Sequence, residues 1–328
     1  RELDLLYRIG YRFVFLADDN LTVYRARAKE LLRALHKWNL QQSAGKMTFG
    51  TQVSIDAAHD AEMLELLARA GVAAVFIGIE TPNEESLRET KKRQNVGIDL
   101  VEKIHQFYAH GIVVQAGMIV GFDSDGPDIF ERQFEFSTRA AAPITTLGAL
   151  VAPPATPLHA RMKREGRLND NDSEVIGTPW LTNFTPRQMT PDEFSKGIRW
   201  LANKLYHPAA FGDRIVRFID RLSPNRDLPS SWSLAEITRH VGRRVDRHAF
   251  RLAMGVAGLG IEEAWMVGRI LKELARKPSA AGAVMPCLYR YRQIRYMYEK
   301  GAVWDGGTSL PSRPELQSSE PSLVGAKH

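Results

Sequence analysis

Carboxylate side chains follow four apolar runs of the sequence, at the point where each run ends. They are Asp18 and Asp19, next to Asn20, after the first run, Asp56 after the second, Glu80 after the third and Asp123 after the fourth. A single Asp in such a position often only caps the helix that follows it. Four positions together indicate a polar binding site, and carboxylates crowded in an empty site should raise one another's pKa values.

These runs belong to a series of short apolar segments that alternate with amphipathic stretches. Continuous apolar runs are typical of parallel strands that are covered on both faces. Strands are predicted over Phe13–Ala17, Thr51–Ile55, Ala73–Ile79, Val113–Phe122 and Thr146–Val151. Helices are predicted over Ala26–Gln42, Ala61–Ala70, Leu100–His110 and Ile129–Ala140. The repeated β-then-α order predicts an α/β fold, a partial β/α barrel whose working residues lie at the carboxyl ends of its strands.

Glycines inside the predicted strands add a second constraint. Gly78, Gly117 and Gly121 stand where a glycine weakens packing and costs backbone entropy. Such positions mark either the close approach of a ligand to the backbone or a bend in the barrel.

The rest of the chain is predicted to be mainly helical. After a first domain over residues 1–168, residues 169–190 form an irregular excursion rich in Asn, Asp, Thr and Pro. Thr190, Pro191 and Glu193 give a capping-box signature that opens a helical domain over residues 191–304. Its helices are predicted over Pro191–Leu205, Pro208–Leu222, Leu234–Val256, Ile261–Lys277 and Leu288–Glu299. Residues 305–328 are rich in Ser, Pro and Gly and are predicted to be disordered.

Composition limits the classes of function. The 328 residues carry a net charge of +6, and arginines recur at 239–244 and 290–295 among apolar residues at helical spacing. That spacing is typical of a solvated helix face, so we expect no nucleic-acid binding; a peripheral contact with lipid headgroups or an anionic partner remains the alternative. Cys287 is the only cysteine, which excludes an internal disulfide and a cysteine-based metal site. Without an apolar run of ~20 residues or a signal peptide, we expect a cytoplasmic protein.

Three motifs carry a resemblance to a known family. The segments 15–20, 78–87 and 117–123 resemble strands two, four and five of the radical S-adenosylmethionine (SAM) barrel. The sequence of these segments is most similar to that of the B12-binding subgroup. Its members have a helical, DUF4070-type C-terminal extension and include hopanoid and bacteriochlorophyll C-methylases. The resemblance covers roughly residues 1–300.

The resemblance implies a cofactor-binding role for several of these residues. Asp18, Asp19 and Asn20 would accept hydrogen bonds from the amino group of SAM, with Asp56 at the same rim. Glu80 would face the ribose or the polar tail. The adenine would lie against the strand from Gly117 to Gly121 and near Val151, at the end of the sixth strand of the family barrel. No catalytic residue and no metal ligand is assigned.

The sequence departs from the family at one essential feature. The Cys-x3-Cys-x2-Cys loop that holds the 4Fe-4S cluster is absent, as is the cobalamin-binding domain, and the chain opens at Arg1. The family strand that precedes this loop is absent too, so we expect the first predicted strand, Phe13–Ala17, to lie at an open edge of the sheet. We therefore expect an inactive fragment of a longer enzyme that methylates an unreactive carbon of a lipid-like or polycyclic molecule. That enzyme would use SAM, the cluster and cobalamin, with flavodoxin or ferredoxin as electron donor.

Two other functions fit the same residues less well. Asp18, Asp56, Glu80 and Asp123 could bind Mg²⁺ in a lyase or isomerase barrel, but no Lys or His follows another strand to act as the base. A non-catalytic remnant could bind a partner through its basic helices, although such a remnant has no need to keep the carboxylates together.

Overall fold

A five-stranded parallel sheet lies at the centre of the computed structural model, which describes residues 1–43, 45–90, 92–169, 178–223, 251 and 255–305. The strands are β1 (Phe13–Phe15), β2 (Thr48–Gln52), β3 (Val72–Glu80), β4 (Val113–Val120) and β5 (Ile144–Ala149). They pair in chain order, and every neighbouring pair is parallel. Among the described strands β1 pairs only with β2, so the predicted open edge at the first strand is confirmed.

Helices connect the strands and then form the second part of the chain. The described helices are α1 (Glu2–Arg8), α2 (Arg25–Leu40), α3 (Ala61–Ala70), α4 (Glu84–Glu89), α5 (Leu100–Ala109), α6 (Ile129–Arg139), α7 (Pro157–Arg164), α8 (Pro191–Tyr206), α9 (Pro208–Arg221), α10 (Ile261–Arg276) and α11 (Ala281–Lys300). Local chemistry sets several of their ends. Asp60 accepts a hydrogen bond from the Met63 amide at the start of α3, and Gly71 ends that helix at a φ of 94°. The capping box between Thr190 and Glu193 is confirmed at α8.

The C-terminal helices pack on β5 and share one hydrophobic core with the sheet. The Tyr206 hydroxyl donates to the Thr145 carbonyl at 2.7 Å and accepts from the Thr145 amide at 3.2 Å. The fully buried Arg214 donates to the carbonyls of Ala142 and Leu205, at 3.2 and 2.6 Å. These bonds attach the C-terminal helices to the start of β5. The domain boundaries at residues 168, 190 and 304 stay predictions.

The structure corrects two predicted elements. The strand predicted over Thr51–Ile55 lies earlier, at Thr48–Gln52, because Gly50 is the residue that pairs with Phe15 of β1. The helix predicted from Leu288 begins at Ala281 and continues through Pro286, which removes only one helical hydrogen-bond donor.

Three predictions concern residues that the structure does not describe. The helix over Leu234–Val256 and the arginines at 239–244 lie almost wholly or wholly outside the described residues, as does the tail from residue 306. Within the described residues, no helix combines the length and the apolar character needed to cross a membrane.

Candidate active site

One face of the sheet, here called the open face, is turned away from the core. Along β3, Ile77 is fully buried in the core, whereas Phe76 and Glu80 are half-buried on the open face, as the two-residue period of a strand requires. Bulky rings crowd the backbone there: a Cβ added at Gly50 would lie 2.9 Å from the ring of Phe13. The Phe13 side chain itself is 53% exposed, so the open face is apolar near β1.

The loop after β1 contains three polar residues that differ in their hydrogen-bond partners. Asp18 Oδ1 accepts a hydrogen bond from the Asn20 amide at 2.9 Å. Asn20 Oδ1 accepts from the amide and hydroxyl of Thr22, at 3.1 and 2.8 Å, and from the Ser54 amide at 3.2 Å. Asp19 is exposed and makes no hydrogen bond or ion pair with another described residue. Asn20 therefore joins the loops after β1 and β2, whereas the Asp19 carboxylate is available to a ligand.

Asp56 does not follow a strand end, which corrects the prediction for the second strand. It lies in the first turn of a short 3-10 helix, Ile55–His59, beyond the end of β2. Arg25 of α2 binds its carboxylate, with 2.8 Å between Nη2 and Oδ2, and the Ser54 hydroxyl contacts the other oxygen. This geometry ties Asp56 to α2 and gives no support to a cofactor role.

Glu80 ends β3 in an unusual backbone conformation. Its φ is 67°, a left-handed value that a non-glycine residue rarely adopts. Its carboxylate pairs with Lys92, 2.8 Å from Nζ to Oε1, and lies so close to Gly78 that a Cβ there would be 2.6 Å away. The buried Asn95 side chain donates to the carbonyls of Gly78 and Ile79, at 3.3 and 3.1 Å. Gly78 thus makes room for a neighbouring carboxylate of the same strand.

The other two predicted glycines and Val151 also have structural partners. A Cβ at Gly117 would lie 2.5 Å from the ring of Phe76, which covers that part of β4. Gly121 follows β4 at a φ of 105°, and its Cβ position is 3.0 Å from the Phe194 ring. Val151 is half-buried shortly after β5. Close packing therefore accounts for both glycines, and contact with adenine stays a proposal.

Asp123 follows β4 and is held by arginines from the segment after β5. Arg167 Nη2 lies 2.5 Å from Oδ1, and Arg161 Nη2 lies 3.2 Å from Oδ2, although that second pair lacks the geometry of a hydrogen bond. Burial alone would raise the pKa of Asp123, but the hydrogen bond from Arg167 and the charges of Arg167, Arg161 and Arg187 lower it below its ordinary value. The expected rise of carboxylate pKa values by mutual crowding is wrong here, because the nearest charges are positive.

We expect Asp123→Asn to reduce the free energy of unfolding by about 1.5–3 kcal/mol at neutral pH, the usual range for a hydrogen bond to a charged group. Since the folded-state pKa of Asp123 is lowered, its contribution is complete above the unfolded-state pKa and is lost as pH falls through the folded-state value. The difference between parent and variant in urea unfolding should therefore shrink from about pH 5 to about pH 2. A difference independent of pH would show that the carboxylate charge is not responsible.

Sequence reasoning missed Asp125, a fully buried carboxylate in the same loop. Its Oδ2 accepts from the amides of Gly121 and Phe122, at 3.0 and 3.1 Å, and its Oδ1 accepts from the Ser86 hydroxyl at 2.6 Å and the Asn83 amide group at 3.3 Å. Burial raises the pKa of Asp125, although these four hydrogen bonds act to lower it. The one local signal was an Asp placed shortly after a glycine turn, where it can accept from backbone amides.

The arrangement as a whole disfavours the magnesium alternative. Asp56, Glu80 and Asp123 each have a cationic partner of their own. In the described part of the chain, no group of three or more His, Cys, Asp or Glu side chains is placed to bind a metal ion. The loop after β1 keeps an uncommitted carboxylate, which can accept hydrogen bonds from an ammonium group.

Two curated relatives and one solved structure resemble the chain. An uncharacterized methyltransferase of Synechocystis sp. is 37% identical over 220 residues, which are 66% of this chain and 40% of the relative. The hopanoid C-2 methylase of Rhodopseudomonas palustris is 33% identical over 181 residues, 55% of this chain and 34% of the relative. The chain thus spans less than half the length of these relatives.

The solved structure is the radical SAM methyltransferase TsrM of Kitasatospora setae with cobalamin and a 4Fe-4S cluster bound. It is 17% identical, with 85% of this chain and 55% of that chain covered and a TM-score of 0.46. That TM-score is too low to establish a shared fold by itself.

Two family models match consecutive parts of the chain. The radical SAM superfamily matches residues 1–136, which contain β1 to β4, and the domain of unknown function DUF4070 matches residues 156–262. Together they cover well over half of the sequence. Residues 1–136 are therefore a radical SAM domain, and a DUF4070 domain follows it in the chain.

Proposed function

We propose that this chain supplies the barrel and the DUF4070 domain of a radical SAM enzyme that methylates an unreactive carbon of a lipid-like or polycyclic small molecule. The match of residues 1–136 to the radical SAM superfamily carries the proposal. The names of the two relatives, a methyltransferase and a hopanoid methylase, support methyl transfer and a substrate of this class.

The described residues fit the amino group of SAM at the loop after β1. An ammonium group needs several acceptors and gains from opposite charge, and Asp19 together with the second oxygen of Asp18 offers both. Glu80, which already pairs with Lys92, would orient the ribose or the polar tail from the end of β3. Near Gly117, the ring of Phe76 is the surface that an adenine would meet.

The described residues do not fit the 4Fe-4S cluster. When bound, SAM, the cluster and cobalamin would supply a carbon radical and a methyl group. Cys287 cannot serve as a cluster ligand here: burial raises its pKa to about 12, and its thiol donates to the Ala283 carbonyl at 3.2 Å. In this proposal the residues at the ends of the strands bind and orient SAM and exclude water. The proposal that cobalamin takes part rests on the family resemblance.

Two partners complete the proposal. Electrons would come from a small donor protein such as flavodoxin or ferredoxin. A peripheral contact with lipid headgroups would use the basic outer face of α11, where Arg290 and Lys300 are exposed.

Cleavage of SAM tests the proposal. The full-length protein, reconstituted with iron and sulfide and then reduced, should convert SAM to 5′-deoxyadenosine. This chain by itself should yield none under the same conditions, because its single cysteine cannot hold the cluster. Turnover that needs no SAM would contradict the proposal, and titration with Mg²⁺ would then test the metal-dependent barrel.

A further inference from the structure

The turn at the end of β3 stores backbone strain at the rim of the open face. Glu80 adopts a φ of 67°, the register between β3 and β4 shifts between Gly78 and Glu80, and the Thr81 amide donates to the Ile79 carbonyl at 3.0 Å. A left-handed non-glycine residue costs on the order of 1–3 kcal/mol and persists only where its surroundings hold it. Asn95 holds the strand side of this turn through the carbonyls of Gly78 and Ile79, so the segment that follows Glu80 must fix the other side.

The segment that follows Glu80 is fixed by a buried hydrogen-bond network. The Asn83 side-chain amide donates to the Ser86 hydroxyl at 2.9 Å, to the Ser124 carbonyl at 2.9 Å and to Asp125 Oδ1 at 3.3 Å. Ser86 donates to the same carboxylate oxygen at 2.6 Å. Asn83 is 6% exposed and Ser86 and Asp125 are fully buried, so water does not compete for these bonds.

The second oxygen of Asp125 reaches the neighbouring strand. It accepts from the amides of Gly121 and Phe122, the first two residues after β4. One carboxylate therefore joins the turn after β3 to the turn after β4. Its partners are all neutral donors, so its task differs from that of Asp123, which pairs with arginines from the segment after β5.

We propose that Asp125 is a positioning residue that acts through Asn83 and Ser86 to hold Glu80 at the rim in its strained conformation. The inference rests on the proposed function, in which the Glu80 carboxylate faces SAM. Asp125 itself is buried and touches no ligand in this scheme.

Asp125→Asn is the sharpest substitution because it preserves shape while changing one acceptor into a donor. If the new amide group faces Gly121 and Phe122, it meets two backbone donors that cannot reverse. If it faces Asn83 and Ser86, the serine can turn to accept, but the Asn83 amide still meets a donor. The first orientation disrupts the β4 turn, and the second displaces Asn83 and with it the turn at Glu80.

A double-mutant cycle on SAM affinity tests the proposal in the full-length reconstituted protein. Asp125→Asn should weaken SAM binding by about ten-fold in the parent and by about two-fold or less in the Glu80→Ala background, because coupled sites are not additive. Isothermal titration calorimetry measures both factors. A merely structural role would lower the melting temperature and weaken SAM equally in the two backgrounds, and that result, or an unchanged affinity, would overturn the inference.

Controls separate this inference from the proposed function. Asp128→Asn changes an exposed carboxylate of the same loop, paired with Arg132 at 3.5 Å, and should leave SAM affinity unchanged. If the parent protein binds no SAM, the proposed function fails, and hydrogen exchange of the Thr81 amide still tests the hold on Glu80. Faster exchange in Asp125→Asn supports that hold, and unchanged exchange refutes it. If Asp125→Asn does not fold, Ser86→Ala removes the 2.6 Å bond and carries the same cycle with a smaller expected factor.

Discussion

Arg295→Met is expected to lower the free energy of unfolding by about 3–5 kcal/mol, because it leaves a buried carboxylate without its counter-charge. Arg295 on α11 and Glu263 on α10 are 8% and 7% exposed, and Nη1 lies 2.5 Å from Oε1. The guanidinium also donates to the Tyr291 hydroxyl at 2.8 Å and stacks 3.6 Å from the centre of the Trp304 ring. Methionine would fill much of the volume, but among the described residues the Tyr291 hydroxyl, 3.3 Å away, would be the one hydrogen-bond partner left to Glu263.

A double variant separates the loss of charge from the loss of packing. Glu263→Gln combined with Arg295→Met removes both charges and should recover most of the stability, since a buried ion pair contributes little over a neutral replacement. Arg276→Met is the matched control. The Arg276 side chain is 66% exposed, so its ion pair with Glu273 should stabilise the fold by less than about 1 kcal/mol. Urea unfolding of the four proteins measures these values. Equal losses in Arg295→Met and Arg276→Met would contradict the argument.

The parallel sheet could be predicted because each strand carries its own signal. Val75, Ile77 and Ile79 are apolar regardless of what lies beside them, and the helices between strands have their own period. The position of β2 could not be predicted as well, because apolar residues stand on both sides of it at Met47 and Val53. Pairing with Phe15 through Gly50 decides the register, and that contact is not local in sequence.

The rim of the sheet was predictable, but the partners of its carboxylates were not. Asp18, Glu80 and Asp123 were identified because they lie at or just after the carboxyl ends of β1, β3 and β4, and parallel strands bring those ends to one edge. Arg167 lies 44 positions from Asp123, and nothing in the sequence links the two. Asp123 and Asp125 stand almost side by side in the chain, yet one meets arginines and the other backbone amides, a difference that only the turn after Gly121 creates.

Asp19→Ala is expected to weaken SAM binding about ten-fold or more in the full-length protein, because a hydrogen bond to a charged group is worth about 1.5–3 kcal/mol. Asp19 is exposed and makes no bond to another described residue, so the melting temperature should not change. In the proposed function its carboxylate receives the ammonium group of SAM. Calorimetric titration with SAM and thermal unfolding measure the two quantities on the same sample.

Asn20→Ala should have the opposite profile and serves as the matched control in the same loop. It removes the acceptor for Thr22, which is 5% exposed, and for the Ser54 amide, so the melting temperature should fall. SAM affinity should change less than in Asp19→Ala, since the Asn20 oxygen is already occupied by the protein. If Asn20→Ala abolishes SAM binding with no loss of stability while Asp19→Ala binds as the parent does, the ammonium group is bound by Asn20, and the assignment to Asp19 is wrong.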